Sequence, residues 1–211
     1  MEARQPQNGV ALTEPEWEVA RLFPPRGEWT EEDYLSLPSN RGVELSDGCL
    51  EFLPMPSELH QLIVGFLYRT LYAFAESHGL GLVLVAGIPI RLWPEKMREP
   101  DVVFLRWEKS ELRREKFWDG ADLAIEVVSP EGRKRDLETK REEYARAGIS
   151  EYWIVDPEAS VVHVLVLDGA TYRAHGTFAD DAQVTSSVLP GFAISASAIF
   201  AAAQPHIQKK S

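Results

Sequence analysis

The chain has 211 residues, 45% of them hydrophobic and 26% charged, which suits one ordinary globular domain with a real core. Its formal net charge of −11 and its single cysteine exclude a protein that coats nucleic acid through bulk positive charge, a disulfide framework, and zinc sites built on paired cysteines. No apolar run approaches the roughly 18 residues of a membrane span, and MEARQPQNGV lacks the layout of a secretory leader, so a cytoplasmic protein without a membrane partner is expected.

Residues 1–28 hold Pro6, Pro15, Pro24 and Pro25 and no sustained apolar period beyond a short candidate helix at 15–22. They are expected to form a loosely attached extension before a domain spanning 29–211. Thr30 followed by Glu31, Glu32 and Asp33 predicts an N-cap and an acidic first turn, in a short helix that stops by Pro38. Val43–Ser46, Asp47-Gly48 and Cys49–Phe52 predict a hairpin with a two-residue type I′ turn. That turn sets Ser46 opposite Cys49, Leu45 opposite Leu50, Glu44 opposite Glu51 and Val43 opposite Phe52, so one face is apolar and the other opposes two carboxylates. Cys49 reads as a small apolar filler there. Ser57 is placed to cap a helix to about Ser77, with Leu59, Leu62, Ile63, Phe66, Leu67, Leu71, Phe74 and Ala75 as its sheet-facing stripe and Gly79 closing it.

Residues 82–92 predict one strand, bent or held at an edge by Pro89. Segments 101–105, 123–128 and 152–155 are short and apolar, as strands buried on both faces are. Between the last two, residues 135–147 predict a helix ended by Gly148, and strand, helix and strand in that order predict a parallel pair joined by a right-handed crossover. Segments 161–167 and 171–175 predict a second hairpin around Asp168-Gly169, and 195–203 a last helix. Together these elements predict an α/β (α+β) fold: a central mixed sheet flanked by helices, with an N-terminal hairpin.

Three acidic residues interrupt apolar strands: Asp101 directly after Pro100, Glu126 within 123–128, and Glu44 facing Glu51. Burial raises a carboxyl pKa, and two like charges about 4 Å apart repel by about 1 kcal/mol in water and about 4 kcal/mol at an effective dielectric of 20. A divalent ion reverses that sign, and hard oxygen ligands suit Mg²⁺ or Mn²⁺. The alternative is structural: Asp101 caps a turn, and Glu126 ends a strand near water or meets an arginine. Leu137, Lys140, Tyr144 and Ala147 share one helical face, which turns Lys140 inward while Arg141, Glu142, Glu143 and Arg146 cover the solvated side. A lysine on a packing face otherwise snorkels. Two carboxylates, a divalent ion and an inward ammonium supply what phosphodiester hydrolysis needs: a polarised phosphate, a more acidic water, and an offset for charge developing in the transition state.

At these residues the chain resembles a known family. Trp29-Thr30-Glu31-Glu32-Asp33-Tyr34-Leu35, Val43-Glu44-Leu45 with Asp47-Gly48, Pro100-Asp101-Val102-Val103-Phe104, Glu126-Val127-Val128-Ser129-Pro130, Asp136, Lys140, Tyr144, Gly148 and Glu151-Tyr152-Trp153-Ile154-Val155-Asp156-Pro157 together resemble the Uma2 family of the PD-(D/E)XK restriction-endonuclease-like superfamily. The resemblance spans about residues 29–195 and leaves the extension outside. It implies a restriction-endonuclease-like core and a Mg²⁺- or Mn²⁺-dependent endonuclease acting on DNA. Asp101 and Glu126 would be metal ligands with the Val127 carbonyl as a third, and Glu44 an additional acidic residue. The superfamily's plain motif puts lysine two places after the acid, where this chain has Val128; Lys140 matches the position from which this family supplies it.

His60 shares a helix face with Val64, Leu67 and Leu71, and reads either as a contact of the site or as a satisfied histidine near a helix start. Segments 106–116 and 129–141 each carry five basic and three acidic residues, leaving −15 for the rest, so a phosphate backbone is expected to approach beside the Glu126 strand. Ordinary solvated helix faces are the other reading of those charges. Tyr152 and Trp153 read as core rather than as stacking platforms, and no zinc finger, RNA-recognition signature or phosphate-binding glycine loop is present. The rival from another class is a non-catalytic binding or assembly module with a nuclease fold; a third reading is hydrolysis of a different phosphate ester. A homodimer follows only by analogy with restriction-type enzymes.

Overall fold

The computed structural model describes residues 24–203. The candidate helix at 15–22, residues 1–23 of the expected extension and residues 204–211 lie outside the described residues. In chain order the elements are α1 (Glu31–Ser36), β1 (Val43–Ser46), β2 (Cys49–Phe52), α2 (Glu58–Ser77), β3 (Gly81–Val85), β4 (Ile90–Trp93), β5 (Lys96–Arg98), β6 (Val102–Arg106), β7 (Leu123–Val127), α3 (Lys140–Arg146), β8 (Glu151–Asp156), β9 (Val161–Asp168), β10 (Thr171–Ala179), β11 (Gln183–Thr185), β12 (Ala193–Ser195) and α4 (Ala196–Ala201). A 3₁₀ segment, Trp107–Leu112, follows β6, and a π turn, Arg135–Thr139, leads into α3.

A six-stranded mixed sheet in the order β10-β9-β8-β7-β6-β3 forms the centre, and β7 with β8 is its parallel pair. A four-stranded antiparallel sheet, β2-β1-β5-β4, stands beside it, and β11 pairs with β12. The two-residue period of β7 divides its side chains between two cores. Leu123, Ile125 and Val127 pack with Ile63, Leu67 and Leu71 of α2. Ala124 and Val128 pack the other way, with Tyr144, Ile149 and Tyr152. Glu126 therefore shares the face that α3 covers.

The first hairpin has the expected register, with Asp47 at φ 50 and Gly48 at φ 74 in the turn. A Cβ on Gly48 would lie 2.5 Å from the Gly27 carbonyl oxygen, because the Gly27 and Trp29 amides both donate to the Gly48 carbonyl. Only glycine fits that close approach. Thr30 and Asp33 close a reciprocal capping box on α1, and Ser57 caps α2 through the His60 amide. Strands β7 and β8 are buried throughout, as expected of strands covered on both faces.

Four elements depart from the sequence reading. Residues 82–92 are two strands in different sheets: β3 pairs with β6, β4 pairs with β5, and the chain turns between them at Gly87 (φ 115) and Pro89. Strand β5 carries two cations in three residues, too short and too charged to register as a strand by its pattern. The second hairpin runs on to Ala179 past a bulge between Ala174 and Gly176. The last helix is only Ala196–Ala201, because Ala193–Ser195 pairs with β11. Among the described residues no helix is long and apolar enough to cross a membrane.

Candidate active site between the central sheet and α3

Asp101 stands just before β6, where its Oδ2 accepts the Val127 amide at 2.7 Å and so ties the start of β6 to the end of β7. His60, in the first turn of α2, brings Nε2 within 3.1 Å of the same oxygen. Glu126 projects from β7 toward α3, and its Oε1 accepts both Lys140 Nζ at 2.8 Å and the Tyr144 hydroxyl at 2.6 Å. Lys140 and Tyr144 are four residues apart, so one helical face delivers both donors. Lys140 Nζ also lies 3.3 Å from Glu44 Oε1 and 3.7 Å from Asp136 Oδ1. Asp101, Glu126, Lys140, His60 and Asp136 line one cleft of about 900 Å³, and Glu44 sits behind Lys140, fully buried.

The π turn shapes the approach of α3, since the Lys140 amide reaches back five residues to the Arg135 carbonyl. Such wide turns recur at functional positions because they re-aim the side chains that follow. Here Asp136 and Lys140 both end at the floor of the cleft, and the Tyr152 hydroxyl anchors the turn by donating to the Asp136 carbonyl at 2.8 Å.

The opposed carboxylates of the hairpin find a cation in the protein itself. Arg98 of β5 donates to Glu44 Oε2 at 2.8 Å and to Glu51 Oε2 at 2.6 Å, and its Nε and Nη2 fork Glu143 at 2.7 and 2.9 Å. Lys96 Nζ lies 2.8 Å from Glu143 Oε1. Two residues expected on the solvated side of α3 are thus engaged: Glu143 by β5, and Arg146 over the Trp93 ring at 4.2 Å. This fork clamps the helix that carries Lys140 onto the four-stranded sheet.

Charge balance sets the protonation of the floor. Burial pushes the Glu126 carboxyl up to about 8; the Lys140 ammonium opposes this, and the charges of Asp101, Asp136 and Glu44 add to it. Glu44 is fully buried too, but Lys140 and Arg98 hold it below the ordinary carboxylate range. Lys140 is held protonated against burial by Glu126, Glu44 and Asp136. His60 is raised by its bond to Asp101 in spite of burial, and its Nδ1 is buried without a hydrogen-bond partner.

Among the described residues no three His, Cys, Asp or Glu stand together as a ready-made ion cage. The donor chemistry nonetheless fits a hard cation that keeps water ligands and needs only one or two carboxylates. Asp101 and Glu126 present oxygens to one cleft, and Asp136 Oδ1 is buried there with no hydrogen-bond partner. The Val127 group engaged at the site is its amide, on Asp101.

The side chains of Asp101, Glu126, Lys140 and Glu44, to which the sequence points, converge with the Val127 backbone among them. His60, for which the sequence allows either a site contact or a satisfied histidine, sits on Asp101. Asp136 and Tyr144 join the site beyond the sequence expectation, although both lie four residues from Lys140, a spacing that puts them on its face. Arg98 and Glu143 carried no such signal, because their pairing crosses from a three-residue strand to a distant helix.

A model of the Uma2 family, described as "Putative restriction endonuclease", matches residues 31–197. No curated protein matches the chain. Among solved structures, the chain is similar to "a putative nuclease belonging to DUF820" from Anabaena variabilis, with a TM-score of 0.70 and 17% identity, over 83% of this chain and 99% of that one. At that identity the likeness is one of fold.

Proposed function

The chain belongs to the Uma2 family, and from that membership we propose that it is a metal-dependent endonuclease hydrolysing DNA phosphodiester bonds at the floor of this cleft. Asp101 and Glu126 hold Mg²⁺ or Mn²⁺ with the Val127 carbonyl, and the ion, when bound, supplies a Lewis acid for the scissile phosphate and a more acidic water. Lys140 orients the attacking water and offsets charge growing on the phosphate, a role that needs a permanent ammonium in a site of low dielectric. Glu44 and Tyr144 keep the two partners in place: Glu44 flanks the ammonium, and the Tyr144 hydroxyl pins the Glu126 carboxylate. His60 and the Val127 amide fix the orientation of Asp101.

The observation that carries this reading is the convergence of carboxylates from β7, β1 and the π turn on one buried ammonium, with Asp101 opening onto the same cleft. Purified protein should nick or cut plasmid or oligonucleotide DNA with Mg²⁺ or Mn²⁺, and Glu126→Ala should abolish the cutting. No cleavage of any DNA form with either ion, or a Glu126→Ala protein as active as the parent, sinks the proposal. A non-catalytic module with this fold is the second reading. It is favoured by the neutralisation of Glu44 and Glu126 by Arg98 and Lys140 within the chain itself.

A further inference from the structure

The cleft is lined by two chemically unlike stretches of chain. One is the connection from β2 into α2, with Leu53, Pro54, Met55 and Pro56, joined by Leu59 of α2 and Val85 of β3. Met55 is 94% exposed, Leu59 45% and Val85 42%, an apolar rim that no described element covers. The other stretch follows β7 and brings Arg133 and Arg135. Arg133 is occupied by Asp156 at 2.6 Å, whereas Arg135 Nε is buried with no hydrogen-bond partner, 4.0 Å from Asp136 Oδ1.

Between them the reacting groups lie deep. The side chains of Glu126 and Lys140 are 5% and 2% exposed, so a scissile phosphate has to descend to them rather than meet them at the surface. A base-paired duplex resists this: its persistence length is about 50 nm, and sharp local bending costs several kcal/mol. An unpaired strand bends freely, and once its phosphate is lowered its base needs an apolar surface. Methionine, leucine and proline side chains serve as such surfaces, sliding against or between bases. Taking a base out of the stack costs a few kcal/mol in a duplex and least where the base is already unpaired, so seating a base on this rim favours an unpaired strand.

We propose that the substrate of this cleft is an unpaired nucleotide in single-stranded DNA, with its phosphate between the acidic floor and Arg135 and its base against Met55 and Leu59. The inference rests on the nuclease reading and specifies its substrate. It is also compatible with a net charge of −11: a strand held through one recessed phosphate and one stacked base needs fewer cations than a duplex held along its backbone.

The test is fluorescence anisotropy with a labelled oligothymidylate and with the matching thymidylate–adenylate duplex. Ca²⁺ replaces Mg²⁺ so that binding is read without turnover. The single strand should bind about tenfold more tightly than the duplex, and Met55→Ser/Leu59→Ser should weaken single-strand binding about five- to tenfold. Both side chains project from the surface, so an unchanged thermal melt verifies that the variant folds. Equal affinity for strand and duplex, no binding of the strand, or a variant that binds like the parent overturns the proposal. A parallel incubation with Mn²⁺ separates the two readings. Cleavage together with equal affinities sinks the unpaired-nucleotide proposal alone, whereas strand-selective binding with no cleavage of any DNA supports the occupant and sinks the hydrolytic reading.

Discussion

Lys140 is 2% exposed and has carboxylates of Glu126, Glu44 and Asp136 within 3.7 Å. Removing it leaves buried carboxylates without their shared cation, and breaking a buried pair from one side typically costs about 3–5 kcal/mol. Lys140→Met should therefore lower unfolding stability in urea by about that amount, and Lys140→Met/Glu126→Gln should recover part of it; a double variant no more stable than the single one counts against this account. The pH dependence follows from Glu126, whose folded pKa of about 8 stands above an ordinary value of 4.5. Between those values the folded state keeps a proton that the unfolded state releases, so Glu126 lowers stability as pH rises through this window. In metal-free protein, urea melts of Glu126→Gln should fall less between about pH 5 and pH 8 than those of the parent. At this scale the residue types and their inward direction were legible. The number of acids sharing one base was not, because those acids come from three separate elements, β1, β7 and the π turn.

The elements owe their positions to a charged clamp as much as to the cores. Arg98 bonds Glu44 on β1, Glu51 on β2 and Glu143 on α3, and so joins three elements through one guanidinium. Arg98→Met should destabilise the fold by about 3 kcal/mol, the lower end for breaking a buried pair from one side, since fully buried Glu44 and mostly buried Glu143 each lose a cation but keep Lys140 and Lys96 respectively. Glu143→Gln, which keeps a polar partner in place, should cost less, and denaturant midpoints of the two variants compare them directly. The hairpin β1–β2 and the parallel pair β7–β8 were readable because each is a local pattern: a two-residue turn in one case, a strand–helix–strand alternation in the other. The break between β3 and β4 was hidden. Residues 82–92 are apolar enough for a single strand, and only the competing partners β6 and β5 divide them.

For the molecule as a whole, the surplus of buried acid over base makes a divalent ion a stabilising ligand. A ligand that binds only the folded state adds about 2.7 kcal/mol at a hundred times its dissociation constant. Thermal scans should show a melting temperature that rises with Mg²⁺ or Mn²⁺ concentration, and Asp101→Asn should remove the rise. A parent protein whose melt ignores both ions would instead favour the non-catalytic reading.

The first hairpin with its turn at Asp47-Gly48, the alternation of β7, helix and β8, and the inward face of Lys140 follow from local patterns, because turn chemistry and side-chain periodicity act between residues close in the chain. Three features were decided only in three dimensions: the seat of His60 on Asp101, the fork of Arg98 across acids of the hairpin and of α3, and the depth of the cleft. The first two depend on contacts between residues 41 or more positions apart, and no local pattern carries the packing that brings such residues together.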